Sequence, residues 1–97
     1  MNKTAIRTLQ AQLLAKGSDP GATDGLMCAE TRTAIDAALE LLDPATKTDW
    51  HDWPAGRREV LCLQALCLDA GLQTGDLDGW WGPQTEYACG QLAYLQA

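Results

Sequence analysis

The sequence predicts an all-α fold in which two tandem helical repeats pack into one compact unit. Three observations predict it. Sliding the chain against itself by 54 residues lays residues 6–42 on residues 60–96 without a gap, and 11 of the 37 pairs are identical, where ordinary composition gives about three. Apolar residues recur at helical spacing on both sides of each loop, and no segment alternates with period two for long. The turn residues also match in register: Gly17/Gly71, Gly21/Gly75 and Asp24-Gly25/Asp78-Gly79. Such glycines carry special backbone geometry, so the duplication is read before any single motif.

The first repeat spans residues 1–43. Ile6, Leu9, Leu13 and Leu14 form the apolar stripe of its opening helix, and Gly17 is the natural C′ stop. A loop over 18–28, rich in Gly, Asp, Pro and Thr, holds the turn pair Asp24-Gly25. There Asp bonds the backbone and Gly supplies φ > 0. Ala34, Ile35, Ala38 and Leu41 mark the core face of the partner helix, which ends at Asp43-Pro44. A linker, 44–56, carries Trp50, His51, Asp52 and Trp53, and its two tryptophans are expected to anchor it to the helices. The second repeat, 57–97, repeats the scheme with Val60, Leu63, Cys67 and Leu68, the stop Gly71, and a loop over 72–82 containing Asp78-Gly79. Pro83 falls at N1 of the last helix with Glu86 in its first turn, and Ala88, Cys89, Leu92 and Leu95 point inward. A repeat of about forty residues is marginal alone, so the two are expected to share their apolar faces.

Composition narrows the function. The chain has 97 residues, 46% hydrophobic and 21% charged, which suits one globular domain or two very small ones. Thirteen acidic against seven basic residues leave a net charge of −6, without the basic footprint of a nucleic-acid binder. No apolar run reaches the ~20 residues of a membrane span, and the start Met1-Asn2-Lys3-Thr4 lacks the h-region of a signal peptide. The cysteines, Cys28, Cys62, Cys67 and Cys89, form no CxxC, and His51 is the lone histidine. No zinc cluster is expected, and free thiols are the expected state. No cofactor is indicated.

Residues 60–88 carry a further pattern: Val60-x-x-Leu63-Gln64, Gly71, Gly75, then Asp78-Gly79-Trp80-Trp81-Gly82-Pro83-Gln84-Thr85, then Ala88. This run resembles the peptidoglycan-binding domain of the three-helix type found in bacterial and phage cell-wall hydrolases. The first repeat resembles it less closely. Ile6, Leu9, Gln10, Gly17, Gly21, Asp24-Gly25, Thr31, Ala34 and Ile35 agree, but Met27, Cys28 and Ala29 replace the aromatic, glycine and proline. The resemblance implies a short helix within each loop and a non-catalytic module that targets a lytic enzyme to the wall, as in phage lysins. It implies a peptidoglycan glycan strand or stem peptide as ligand, and a catalytic hydrolase domain in the same parent chain as partner. Synthesis in the cytoplasm and action at the wall after release follow from the same reading, with no role for nucleic acid or membrane. It also implies that Trp81 fills the core position of the family aromatic and that Trp80 is the more exposed of the pair.

A tryptophan face stacks on the C–H face of a pyranose, and nearby Gln and Tyr groups bond hydroxyls and amides. Trp80, Gln84, Tyr87 and Tyr94 are therefore the candidate ligand-binding residues. Trp80 could equally cap the interface between repeats, and the two tyrosines could line a groove or merely pack. Asp24, Gly25, Asp78, Gly79, Gly82 and Pro83 are read as structural turn residues. No catalytic residue is assigned: there is no GxSxG, HExxH or P-loop, and His51 reads as a solvated linker residue despite Asp49 and Asp52 beside it. Binding is expected in the second repeat, with Leu26 and Met27 serving the core of the first. The reading from another class is a protein–protein or inter-domain packing module without carbohydrate binding.

Overall fold

The computed structural model describes residues 1–96. Four α-helices form in chain order: α1 (Lys3–Ala15), α2 (Ala29–Leu42), α3 (Ala55–Asp69) and α4 (Pro83–Gln96), with one 3₁₀ turn at Trp50–Asp52 before α3. No strand forms among the described residues. The loops over 18–28 and 72–82 contain bends but no short helix, so the short helix implied within each loop does not form. Each loop is instead held by side chains from the preceding helix.

Local chemistry sets the helix ends. Asn2 caps α1 by accepting a bond from the Ala5 N–H at 2.8 Å. Ser18 N–H bonds Leu13 O at 2.9 Å and Gly17 N–H bonds Leu14 O at 3.1 Å, the paired bonds of a Schellman stop with Gly17 at φ +85°. The same pair closes α3, from Leu72 to Cys67 O and from Gly71 to Leu68 O, each at 2.9 Å. Asp43 ends α2 in the left-handed region at φ 44°, just before Pro44. Pro83 opens α4, and the Gly82 carbonyl accepts from Glu86 N–H at 2.9 Å.

The helices cross-pair. α2 packs most extensively on α3, and α1 packs on α4 as well as on α2. A shift of 54 residues exchanges α1 with α3 and α2 with α4, and it carries each of these pairings into another. The helices form a body of 32 × 26 × 21 Å. One core runs through it, built from Leu9 and Leu13 of α1, Ile35 and Leu39 of α2, Leu61, Leu63 and Leu66 of α3, and Ala88 and Leu92 of α4. Trp50 and Trp53 of the linker join that core.

Several leucines depart from the sequence expectation. Leu14, Leu41, Leu68 and Leu95 are exposed, although each sits at helical spacing from core residues. They lie at the borders of their stripes, and the helix–helix crossings leave those borders uncovered. Leu39 takes the buried place expected for Leu41.

Candidate functional site

The site begins with a buried amide. Gln64 is sealed in the core at 1% exposure. Its Oε1 accepts from Gly79 N–H at 2.9 Å, while Nε2 donates to Trp80 O at 3.1 Å and to Thr85 Oγ1 at 3.0 Å. Asp78 Oδ1 accepts from Trp80 N–H at 2.9 Å, closing the turn. Gln10 does the same in the first repeat: Oε1 accepts from Gly25 N–H at 2.8 Å, and Nε2 donates to Leu26 O at 2.9 Å and Thr31 Oγ1 at 3.1 Å. Asp24 Oδ1 accepts from Leu26 N–H at 3.0 Å, and that bond is the main cause of its lowered pKa. Two loops 54 residues apart are therefore fastened by matching bonds.

At one point of each loop an added side chain would meet backbone. Gly25 and Gly79 have φ +79° and +73°, and an added Cβ would fall 2.7 Å from the carbonyl oxygens of Lys3 and Arg57 respectively. The loop can lie on the helix N-terminus only because no side chain intervenes. Gly82 differs: its φ is ordinary and a Cβ would meet nothing, so its part in the turn is the carbonyl that receives α4.

Closing the second loop brings three aromatic and cationic groups into a stack. The Arg57 guanidinium carbon lies 3.6 Å from the Trp53 ring centroid and 4.5 Å from that of Trp80. Arg57 Nε donates to Asp78 O at 2.9 Å. Trp53 is 7% exposed and donates from Nε1 to Thr48 Oγ1 at 3.0 Å. Trp80 is 61% exposed. It borders two grooves, one with Lys47, Trp53, Arg57 and Asp76, the other with Gly82, Pro83 and Gln84. In the first repeat Lys3 and Leu26 stand at the matching positions, and no such stack forms.

The structure divides the expected binding residues into two places. Trp80 and Gln84 share a groove. Tyr87 and Tyr94 line a separate groove of about 490 Å³ along α4 with Leu72, Gly90 and Leu95. Both tyrosines are exposed, at 69% and 82%, so neither packs in the core. Trp80 is exposed rather than an interface cap. Trp81 is 37% exposed and does not fill the core position expected of it; Trp53, arriving from the linker, is the tryptophan buried against this loop. Leu26 is likewise 59% exposed, while Met27 packs partly buried against the core as expected.

The remaining candidates are modest in chemistry. His51 is exposed but not free: Nδ1 contacts Asp49 Oδ1 at 2.5 Å, Nε2 contacts Glu40 Oε1 at 2.7 Å, and the ring stacks on Trp50. The four cysteines are free thiols, with Cys28 exposed and the other three buried. Among the described residues no group of three or more His, Cys, Asp or Glu side chains is placed to hold a metal ion. No helix is long and apolar enough to cross a membrane.

Trp53 anchors the linker to the core as expected, but the sequence did not reveal its stack with Arg57. The readable signal was their spacing of four beside the Trp53-Pro54 helix entry; the partner Trp80 lies far along the chain and leaves no local trace. Comparison with protein-family models, curated proteins and solved structures finds no match for this chain.

Proposed function

We propose that this chain is a non-catalytic peptidoglycan-binding module, acting at the bacterial wall and holding an attached hydrolase domain there. The observation that carries the reading is Trp80. An exposed indole offers a flat apolar face for stacking, and here its backbone is fixed by the buried Gln64 and its ring is steadied by Arg57. Preorganised aromatic surface loses little freedom on binding. Gln84 beside it supplies amide donors and acceptors. The run Asp78–Thr85, similar to that of peptidoglycan-binding domains, supports the choice of ligand class.

Purified insoluble sacculi test it. Wild-type protein should sediment with the sacculi at low salt and neutral pH, and Trp80→Ala should remain largely in the supernatant while melting normally. Wild-type protein left wholly in the supernatant overturns the reading.

One observation favours a second reading, an inter-domain packing role. The outer face of α4 presents Tyr87, Tyr94 and Leu95 around Gly90, with Glu86 as the one charged residue of that groove. Comparing a parent enzyme with and without residues 1–97 separates the two. Loss confined to insoluble wall supports targeting, and equal loss on soluble substrate supports packing.

A further inference from the structure

Arg57 is an unusual cation for this protein. Acidic residues outnumber basic ones thirteen to seven, and Lys16 and Arg58 each have a carboxylate partner. Like Lys3, Arg7, Arg32 and Lys47, Arg57 forms no ion pair among the described residues; what sets it apart is its aromatic setting, and there the one hydrogen bond of its side chain runs from Nε to the Asp78 carbonyl. Two indole rings, of Trp53 and Trp80, lie against its guanidinium. Arg57 is half-exposed, and its terminal N–H donors make no hydrogen bond among the described residues. The edge that carries those donors matches a carboxylate, which takes two parallel bonds from it.

The surrounding groove, about 410 Å³, adds Lys47, Thr48 and Asp76. Lys47 and Asp76 are exposed and, like Arg57, form no ion pair among the described residues. Asp78 also borders it, but its Oδ1 already holds Trp80 N–H. Both signs of charge therefore face one cavity with aromatic walls. A polyanion meets Asp76 and the net negative charge. A neutral sugar leaves the Arg57 edge without an acceptor. A group bearing carboxylate and ammonium on one carbon satisfies both.

We propose that the Trp53–Arg57–Trp80 groove recognises the zwitterionic amino-acid end of a stem peptide, with Arg57 taking the carboxylate and Asp76 the ammonium. This rests on the wall-binding reading and decides within it for peptide over glycan.

Titration calorimetry on the full chain tests it with three probes: a stem peptide ending in diaminopimelate with its free amino-acid end, the same peptide with that carboxylate amidated, and an N-acetylglucosamine oligomer. The free-ended peptide should bind and compete with sacculi. Amidation, or Arg57→Gln, should weaken binding at least tenfold, and the oligomer should not compete. Arg57→Lys, which keeps the charge but loses the fork, should not restore wild-type affinity. The amidated peptide needs no variant, so a folding defect in Arg57→Gln does not blur the result. Equal binding of free and amidated peptide overturns the proposal. Sacculus binding without peptide binding overturns it and leaves the wall-binding reading standing. Binding to neither removes both.

Discussion

The side-chain amide of Gln64, buried in the core, donates to the carbonyl oxygen of Trp80. An exposed tryptophan of the candidate site is therefore fastened to one of the least exposed residues in the chain. Gln10 and Leu26 stand in the same relation in the first repeat.

Gln64→Ala removes this fastening and leaves the Gly79 N–H and Thr85 hydroxyl without their partner. Net loss of a hydrogen bond costs about 1 kcal/mol, and each buried group left unsatisfied adds about 1–3 kcal/mol. The variant should lose about 3 kcal/mol in denaturant unfolding. Gln10→Ala should lose a similar amount, because its bonds are the same set. Only Gln64→Ala should also weaken wall binding, since only that loop carries Trp80. Equal stability of Gln64→Ala and wild type would contradict the role given to the amide.

The tryptophans should separate by exposure. Trp53→Ala empties a core position and should cost about 3–5 kcal/mol. Trp81, part exposed, should cost clearly less than Trp53. Trp80→Ala removes only the contact with Arg57, worth about 0.5–1 kcal/mol at an exposed site. Its effect should appear in affinity, about 2 kcal/mol or roughly 30-fold. Melts and sacculus-binding curves on the three variants give the order. A lower melting point for Trp80→Ala than for Trp53→Ala would reverse it.

Thiol reactivity follows position. Cys28, at the N-cap of α2, contacts the Thr31 hydroxyl at 3.3 Å, and bonds from Thr31 pull its pKa below the ordinary thiol value. Burial pushes the Cys67 thiol up to about 12 and raises Cys62 and Cys89 as well. The thiolate is the reactive form. Brief alkylation of native protein should add one label, at Cys28, with the others labelled only after denaturation. Mass spectrometry of the intact protein and its peptides reads this directly.

His51 gives the fold a pH dependence. Both ring nitrogens face carboxylates, which only accept, so the bonded ring is the imidazolium. Bonds to Asp49, then to Glu40, raise its pKa. Stabilisation from this raised group is fully present below the ordinary imidazole value of about 6.5 and fades as pH rises through the folded value. The bond to His51 lowers the Asp49 pKa, so that contribution is present above about pH 4 and fades as pH falls. The gap in melting temperature between wild type and His51→Gln should shrink as pH rises above about 6.5. Salt should narrow it too, because the groups are exposed. A gap that stays constant would mean the neutral ring suffices.

The helices, their stops and the buried turns were legible because their causes are local: Leu9 and Leu13 at helical spacing, Gly17 and Gly71 past the last turn, Pro83 at the start of α4. Matching residues between repeats were less informative about burial. Leu14/Leu68 and Leu41/Leu95 are identical pairs, yet all four are exposed, because identity marks equivalent positions and not their environment. Trp81 misled for a related reason. A buried aromatic was needed against the loop, but the linker delivers Trp53 to that place, and the sequence does not state which tryptophan arrives. Arg57 drew no attention as a lone charge near a helix start. Its meaning depends on two rings brought together by tertiary structure.

The cross-pairing of helices means that neither half of the chain owns its core. α2 leans chiefly on α3 and α1 on α4, so a solitary repeat would expose the surfaces it now shares. Two fragments cut within the linker should reassemble when mixed.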